Sequence, residues 1–318
     1  MVDYLLAEGH RVRALTHKNR ERLQHLIDAP HDSFECLQGD LSDYAFVREA
    51  VEGADGVFHF AALSRATSPL PECTDANVVG TQNVLRALAD VTSASPASAD
   101  GNSASPASAD GKNGTLRRPK MVFASSALIY GNAAAPQSED APHDLRTPYA
   151  LTKFVAEKYC EYFSEHQGVP TVRLRIFLVY GERESGTLVA IFRRLKREGK
   201  PVTIFGDGST TRDFVHVSDV CEAAYRSMML MCEGSLPSSS SLALNVGTGV
   251  ETSIKQVADI ISPDAQTHQP PRPNDCERMC ADVSRMERVL KWRPQTDFVA
   301  WLRETVMRDQ EKEAGDQT

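Results

Sequence analysis

The amino-acid sequence predicts an α/β protein built on a doubly wound parallel sheet, with a smaller C-terminal α/β lobe. Short apolar runs with strand character alternate with longer amphipathic runs with helix character, the pattern of a parallel sheet covered by helices on both faces. The chain has 318 residues, which is long for one compact domain. One large α/β unit, or a main domain with a second lobe, is therefore expected.

The predicted elements can be assigned in order along the chain. The first, Val2–Glu8, has the pattern of a helix that ends at Gly9. The predicted strands after it are Val12–Thr16, Val57–Phe60, Met121–Ser125 and Thr171–Val179. The predicted helices are Tyr44–Glu52, Asn77–Asp90, Pro148–His166 and Thr187–Glu198. We assign residues 1–180 to the main domain, residues 181–310 to the smaller lobe, which returns strands and helices to the main domain, and residues 311–318 to a tail.

The start of the chain departs from the usual order of such a sheet. A Rossmann-type sheet opens with a strand, a glycine-rich turn and a helix whose N-terminus holds a pyrophosphate. Here neither G-x-G-x-x-G nor G-x-x-G-x-x-G occurs, and the first predicted element is already the helix Val2–Glu8. We expect the first strand and the glycine-rich turn to be missing, through a misassigned start codon or a loss in the protein itself.

A tandem repeat interrupts the alternation of strands and helices. The segment Ser93–Gly101, SASPASADG, recurs unchanged at Ser103–Gly111. A segment of this composition has nothing to bury, so residues 92–117 are predicted to be a disordered insertion. A surface loop can lengthen at little thermodynamic cost, which favours a neutral insertion over the alternative of a partner-binding tail. The Ser-rich segment Gly234–Ser241 is a shorter loop of the same kind.

Composition excludes several classes of partner. The net charge of −8 and the isoelectric point of about 5.6 argue against nucleic acid or an anionic membrane, though not against a local basic pocket. No apolar run approaches the ~18 residues of a membrane span, and no secretion-type signal follows Met1. Seven scattered cysteines suit free thiols in a reducing compartment, so a cytoplasmic protein is expected. Cys276 and Cys280 lack a second pair or a nearby His, so no metal site is predicted.

The strongest chemical motif is the pair Tyr149 and Lys153. Thr147 and Pro148 suit the N-cap and the first position of a helix, and residues four apart then share a face. A tyrosine of pKa ~10 is a poor base, but a neighbouring lysine cation and the positive helix end favour its phenolate. General acid/base transfer at a hydroxyl or carbonyl needs such a group. Taken alone, the spacing is more often that of a solvated helix face.

Ser126 adds a second polar group to this motif. It follows the apolar strand Met121–Ser125, and ligands of an open parallel sheet bind at the carboxyl ends of its strands. A serine there can hold the substrate oxygen that Tyr149 protonates. The alternative is that Ser125 and Ser126 merely terminate the strand.

Further motifs extend this pattern through the chain. They are His59-Phe-Ala-Ala62, Asn77-Val-Val-Gly80-Thr81, Ser125-Ser126-x3-Tyr130-Gly131, Ser138-Glu139-Asp140, Pro148-Tyr149-x3-Lys153, Arg175-Ile-Phe-Leu-Val-Tyr180-Gly181, Ile204-Phe-Gly-Asp-Gly208, Arg212-Asp-Phe-Val-His216-Val, Asn245-Val-Gly-Thr-Gly249 and Arg272-Pro-Asn-Asp275. In this order they resemble the extended short-chain dehydrogenase/reductases, and among them the NAD-dependent epimerase/dehydratase family, typified by UDP-glucose 4-epimerase. The resemblance covers essentially the whole chain except the repeat.

The resemblance implies a role for each matched residue of the chemical centre. Tyr149 would be the catalytic acid/base, Lys153 would lower its pKa and bind the nicotinamide ribose, and Ser126 would bind the reacting sugar oxygen. Asn77 would be structural, bonding backbone near the active site.

The resemblance also implies the cofactor and substrate contacts. Asp40 and Leu41 would contact adenine, where the residues alone suggest only a turn. Ala61 and Ala62 would line the cofactor cleft, although a buried strand end explains them equally well. For the substrate, the resemblance implies that Arg212 and Arg272 clamp the diphosphate and that Asp275 lies near the nucleotide ribose. Guanidinium groups suit such a clamp; without the resemblance, each Arg would be a surface charge.

The cofactor preference is open between NAD and NADP. NAD is the family's usual cofactor, but Thr16 stands where an acid would bond the ribose 2′-hydroxyl. His17, Lys18 and Arg20 follow, and such bases can accommodate the 2′-phosphate of NADP. Exposed basic residues after a strand are also common.

Two further departures bear on the reaction. Leu178 stands where the family's sugar-nucleotide epimerases place an asparagine against the substrate phosphate, which weakens that assignment. Ala127 and Leu128 stand where its dehydratases and decarboxylases carry acidic residues, which favours epimerisation or simple redox chemistry.

The sequence therefore predicts a sugar-nucleotide epimerase-like oxidoreductase with NAD(P), a nucleotide-sugar substrate and, from the family, a homodimer. Two alternatives stay open. One is an NADPH-dependent reductase of a non-nucleotide carbonyl, and the other is an inactive truncated member that acts as a binding or scaffold protein.

Overall fold

The computed structural model describes residues 1–29, 32–64, 68–93, 119–237 and 241–315. The predicted insertion at 92–117 lies outside these ranges from residue 94 onward, as do residues 238–240 of the Ser-rich loop. Within the described ranges, no helix is both long and apolar enough to cross a membrane.

Strands and helices alternate through the chain. The strands are β1 Val12–Thr16, β2 Phe34–Gln38, β3 Gly56–His59, β4 Lys120–Ser126, β5 Thr171–Ile176, β6 Leu178–Tyr180, β7 Val202–Phe205, β8 Thr211–His216, β9 Ser241–Val246, β10 Glu251–Ser253, β11 Gln266–Gln269 and β12 Arg278–Met279. The helices are α1 Val2–Ala7, α2 Gln24–Ile27, α3 Tyr44–Val51, α4 Leu70–Cys73, α5 Gly80–Ser93, α6 Pro148–Gln167, α7 Leu188–Arg197, α8 Val217–Cys232, α9 Ile254–Ile261, α10 Ser284–Leu290 and α11 Phe298–Gly315. Two 3₁₀ turns, Arg20–Leu23 and Ala127–Tyr130, and one π-helical segment, Thr74–Val79, join them.

The central sheet is parallel and runs in the order β3-β4-β5-β9. Val122 of β4 faces a core that contains α8, through Ala224 and Met228. Its neighbours Met121 and Phe123 point the other way, into a core shared with α3, α5 and α6. Because successive side chains of a strand alternate between faces, both faces of this sheet are buried under helices. The predicted α/β class with a parallel sheet is confirmed.

The N-terminal strands form a separate parallel pair, β1 with β2. Among the described residues, β1 pairs with no strand of the central sheet, and β3 pairs only with β4. Helices connect the two sheets instead. On one side Tyr4 of α1 packs against Tyr225 of α8, with ring centroids 5.6 Å apart. On the other side α3 packs against α5.

The second group of elements surrounds β8. This strand pairs in parallel with β6 and β12 and antiparallel with β10, while β7 pairs with β11 in a separate parallel pair. Its core includes the stacked rings of Phe214 and Phe298, with centroids 4.0 Å apart. The chain then returns to the central sheet, because β9 pairs with β5.

Two predicted elements differ from the structure. The strand predicted over Thr171–Val179 is divided at Phe177, whose N–H donates to Val246 of β9 before the chain leaves the central sheet to pair with β8. The helix predicted over Asn77–Asp90 starts as the π-helical segment and becomes α-helical at Gly80. A Cβ on Gly80 would lie 3.1 Å from that of Leu41, so glycine permits the close approach there.

Candidate active site

The N-terminus of α6 and the end of β4 position the chemical motif. Thr147 caps α6, its Oγ1 accepting from the Ala150 N–H at 3.1 Å, and Pro148 occupies the first turn. Ser126 ends β4 and caps the 3₁₀ turn, its Oγ accepting from the Leu128 N–H at 3.2 Å. The helix and the 3₁₀ turn thus each begin at a polar side chain that accepts a hydrogen bond from a free backbone N–H.

The structure brings the side chains of Tyr149 and Ser126 close enough together for Ser126 to act on the pKa of the tyrosine. Burial raises the pKa of Tyr149 above its ordinary value, and Ser126 opposes that effect. The sequence predicted a lowered pKa from Lys153 and the helix dipole, and this prediction is wrong for the protein without ligands. Desolvation has the largest effect on this hydroxyl.

Lys153 lies one turn below Tyr149 and is only 2% exposed. Its Nζ is 4.4 Å from the ring centroid of Phe123. Burial lowers the pKa of this ammonium to about 8, against the opposing effects of Cys160 and Glu157. A lysine with such a pKa can change its charge near neutral pH.

Asn77 ties the loop after β3 to α6. Its Oδ1 accepts from the Leu63 N–H at 2.7 Å, and its Nδ2 donates to the Leu63 carbonyl at 3.1 Å and to Thr152 Oγ1 at 3.0 Å. The predicted bonding of Asn77 to backbone is confirmed. It stands in the π-helical segment, a conformation often found at functional sites.

Several buried groups beneath the site were missed as functional candidates. His59 lies with Nε2 2.9 Å from Thr81 Oγ1, and burial together with Lys153 lowers its pKa to about 3. The others, Glu157, Arg173 and Arg175, form a buried ion-pair cluster. The spacing Tyr149-x3-Lys153-x3-Glu157 was visible in the sequence as one helix face and could have indicated Glu157.

The predicted cofactor residues lie at the ends of β1, β2 and β3. Thr16 ends β1, and the next residue, His17, has its Nε2 3.5 Å from the Asp40 carboxylate. Backbone and side-chain bonds to Ser42 lower the pKa of Asp40. Leu41 contacts Gly80 closely, as described above. Ala61 and Ala62, after β3, complete the predicted cofactor residues, and both are exposed. The alternative explanation, that they form the buried end of a strand, is therefore wrong.

The predicted substrate residues fall into two groups. Arg212 Nη2 lies 2.6 Å from Asp275 Oδ1, so this arginine and the predicted ribose contact are partners of each other. Arg272 stacks instead on the ring of Phe205, 3.8 Å from its centroid. Leu178 packs at the edge of the core of the second group.

The described part of the chain has no group of three or more His, Cys, Asp or Glu side chains that could hold a metal ion. Its cysteines are free thiols.

Residues 1–237 match the sequence model of the NAD dependent epimerase/dehydratase family. A UDP-glucose 4-epimerase of Mycolicibacterium smegmatis is 32% identical over 96% of this chain and 93% of its own length. A solved structure of MoeE5 in complex with UDP-glucose and NAD is 25% identical, with a TM-score of 0.77 over 98% of this chain and 94% of that one. A UDP-N-acetylglucosamine 4-epimerase from Methanobrevibacter ruminantium M1, 24% identical, gives a TM-score of 0.79 over 98% and 94%, and this likeness concerns the fold.

Proposed function

This chain belongs to the NAD-dependent epimerase/dehydratase family, and we propose that it epimerises the sugar of a nucleotide sugar. The observation that carries the proposal is the close approach of Tyr149 and Ser126 at the end of β4, with Lys153 buried one turn further along the same helix. The M. smegmatis relative, which aligns over nearly the whole chain, supports a nucleotide-sugar substrate.

The residues at the carboxyl ends of the first three strands fit NAD. Ala61 and Ala62 are exposed and small, so a flat ligand can approach the backbone after β3. Asp40 is exposed after β2 and can accept from an adenosine group. When bound, NAD supplies a reversible hydride acceptor. Its oxidised ring also adds a positive charge that favours a phenolate at Tyr149.

The protein's own part in the reaction is proton transfer. Ser126 would hold the reacting sugar hydroxyl, the charged Lys153 would stabilise Tyr149 as a phenolate, and the phenolate oxygen would then take the hydroxyl proton. Once the keto sugar presents its other face, Tyr149 returns the proton to the same oxygen. Ala127 and Leu128 offer no further acid or base, so the residues favour epimerisation over elimination or decarboxylation.

The diphosphate would be held by Arg212 and Arg272. Leu178 cannot donate a hydrogen bond, so substrate affinity would depend more heavily on these guanidinium groups. Both have partners in the protein itself, Asp275 for Arg212 and the Phe205 ring for Arg272, and binding would have to compete with them.

A second candidate is an NADPH-dependent reductase of a non-nucleotide carbonyl. Leu178 favours it, as do Thr16, His17 and Lys18, which offer no acid to the ribose 2′-hydroxyl. Against it, His17 faces Asp40, whose carboxylate would repel a 2′-phosphate. We therefore propose NAD as the cofactor.

We also propose a homodimer. Leu151 and Tyr162 of α6 are exposed and lie three helical turns apart on one face, so a second copy could cover two large apolar side chains there. Sedimentation of the purified protein would give the mass of one chain if this proposal is wrong.

The function is tested with the purified full chain, UDP-glucose and NAD. We expect protein-bound nicotinamide and formation of the 4-epimer, and a loss of about 10²–10⁴-fold in kcat in Tyr149→Phe with NAD binding retained. Tyr162→Phe, an exposed residue on the same helix, is the matched control and should keep full activity.

Other results would reject this function. Net oxidation of NADPH with small ketones, unaffected by Arg272→Ala, would support the reductase. Binding of NAD without turnover of any UDP-hexose would support the inactive binding protein.

A further inference from the structure

A buried carboxylate lies directly beneath the Tyr149–Lys153 pair. Tyr149, Lys153 and Glu157 follow at intervals of four residues and share one face of α6. The side chain of Glu157 is 0% exposed. A carboxylate in such a place needs strong partners, because desolvation of an unpaired charge is very costly.

Two arginines of β5 supply those partners. Nε and Nη2 of Arg175 donate to the two oxygens of Glu157 over 3.1 and 2.9 Å, a bidentate pair. Nη1 of Arg173 donates to the same carboxylate at 3.2 Å. Against the effect of burial, the arginines hold the pKa of Glu157 below its usual value, so the carboxylate is charged at neutral pH.

Arg175 also joins α6 to the turn that follows Ser126. Nη1 of Arg175 donates to the hydroxyl of Tyr130 at 3.0 Å and to the carbonyl of Glu139 at 2.7 Å. The Tyr130 hydroxyl in turn donates to Asn245 of β9 at 2.7 Å. Because Tyr130 ends the 3₁₀ turn that Ser126 begins, Glu157 is rigidly connected to both elements that carry the chemistry.

At neutral pH, the negative charge of Glu157 favours the charged form of Lys153. The groups that face Lys153 are Cys160 and Glu157 on its own helix, His59 from β3 and the Phe123 ring from β4. Burial raises the pKa of the Cys160 thiol far above neutrality, and His59 is neutral because its pKa is about 3. Of these four groups, only Glu157 carries a charge near pH 7.

We propose that Glu157 is a positioning residue that keeps the Lys153 ammonium charged beside Tyr149 and fixes α6 against the turn carrying Ser126. The inference rests on the proposed function for the role of Tyr149 in proton transfer. Without this carboxylate, Lys153 would lose its proton at a lower pH and could no longer stabilise a phenolate there.

The direct test measures the pKa of Lys153 in the substrate-free full chain. Lysine is labelled with ¹³C at Cε, and Lys153→Met identifies the signal. In Glu157→Gln we expect the pKa to fall by about one unit or more. Glu161→Gln is the matched control, because Glu161 also pairs with Arg173 but is partly exposed and lies two helical turns from Lys153. In this variant the pKa of Lys153 should stay unchanged. An unchanged value in Glu157→Gln, or an equal fall in both variants, would overturn the proposal.

A second variant guards against loss of folding. Glu157→Gln with Arg173→Gln removes the carboxylate together with one of its two buried arginine partners, while Arg175 remains as a cation without that carboxylate. The same downward direction is expected, and a rise or no change contradicts the proposal.

Activity supplies a separate readout. The alkaline limb of kcat should move to lower pH in Glu157→Gln with KM little changed, and Glu157→Asp should restore it. A merely structural role would lower kcat equally at all pH values. If the wild type turns over no nucleotide sugar, the proposed function fails, while the titration of Lys153 still decides the role of Glu157.

Discussion

At the scale of single residues, the buried ammonium of Lys153 carries a large energetic cost. Its pKa falls from an ordinary 10.5 to about 8, a difference worth about 3 kcal/mol. Because the unfolded chain binds this proton more tightly, burying Lys153 costs stability. The cost is full below pH 8 and disappears as the pH rises toward 10.5.

This sign gives a prediction for Lys153→Met. The variant should be more stable than the wild type at pH 7, by up to about 3 kcal/mol, while losing activity. The wild type should gain stability between pH 8 and pH 10.5 relative to the variant. Urea unfolding at several pH values measures both effects.

Lys158→Met is the control, because Lys158 lies on the same helix but is exposed. It should change stability by less than about 0.5 kcal/mol at every pH. A Lys153→Met protein no more stable than the wild type at pH 7 would contradict the burial cost.

The sequence predicted part of this site for a clear physical reason. Tyr149 and Lys153 lie on one helix, so their spacing alone places them on one face. The partnership of Glu157 with Arg175 depends on how α6 packs on β5, and the contact between Tyr149 and Ser126 depends on the turn after β4. Spacing along the chain carries neither fact.

At the scale of elements, the π-helical segment Thr74–Val79 connects the end of β3 to α6. It presents Asn77 simultaneously to the loop after β3 and to Thr152 of α6. This arrangement fixes the distance between the two elements on either side of the proposed cofactor cleft.

We predict that Asn77→Ala loosens this connection. It removes three hydrogen bonds of a fully buried side chain and should lower the free energy of unfolding by about 2 kcal/mol. It should also raise the Kd for NAD, because the loop that carries Ala61 and Ala62 loses its support. Chemical denaturation and NAD titration measure the two effects.

Asn83→Ala is the matched control, because Asn83 also donates to backbone carbonyls, those of Leu41 and Ser42, but does not contact α6. It should lower the free energy of unfolding less than Asn77→Ala does, because Asn83 is less buried than Asn77. An Asn77→Ala protein with normal stability and NAD binding would show that the π-helical segment does not hold the site together.

Elements were predictable where burial imposes a pattern. The apolar strand β4 and the capped helix α6 were assigned almost to the residue. The division of Thr171–Val179 at Phe177 was not, because apolar residues continue through it and only the change of pairing partner ends β5. The strand β11 has the sequence Gln-Thr-His-Gln and owes its conformation to pairing with β7, so no apolar signal exists for it.

At the scale of the whole molecule, the alternation of strands and helices sufficed to predict the α/β class, because burying both faces of a parallel sheet requires it. The sequence could not show which strands share a sheet. Backbone pairing between distant segments leaves no mark on residue type. The proposed boundary near residue 180 also depends on pairing, because β6 ends there and joins the second group through β8.

The separation of the β1–β2 pair from the central sheet has a consequence for hydrogen exchange. Strands β4 and β5 are hydrogen-bonded to a neighbouring strand on each side. Their amide hydrogens should therefore exchange with solvent only on global unfolding. The β1–β2 pair is held by α1 and α3 rather than by a continuous ladder. It should behave as a separate cooperative unit that opens with a free energy several kcal/mol lower.

Native-state exchange followed by mass spectrometry would reveal this as early labelling of Val12–Thr16 and Phe34–Gln38 in concert. Simultaneous exchange of these strands with β4 would instead mean that the helices alone unite both sheets into a single unit. If early labelling is found and NAD slows it selectively, then the ligand is what couples the two sheets energetically. The amides around Asp40 would then be protected from exchange only when the nucleotide is bound, so their protection would report cofactor binding.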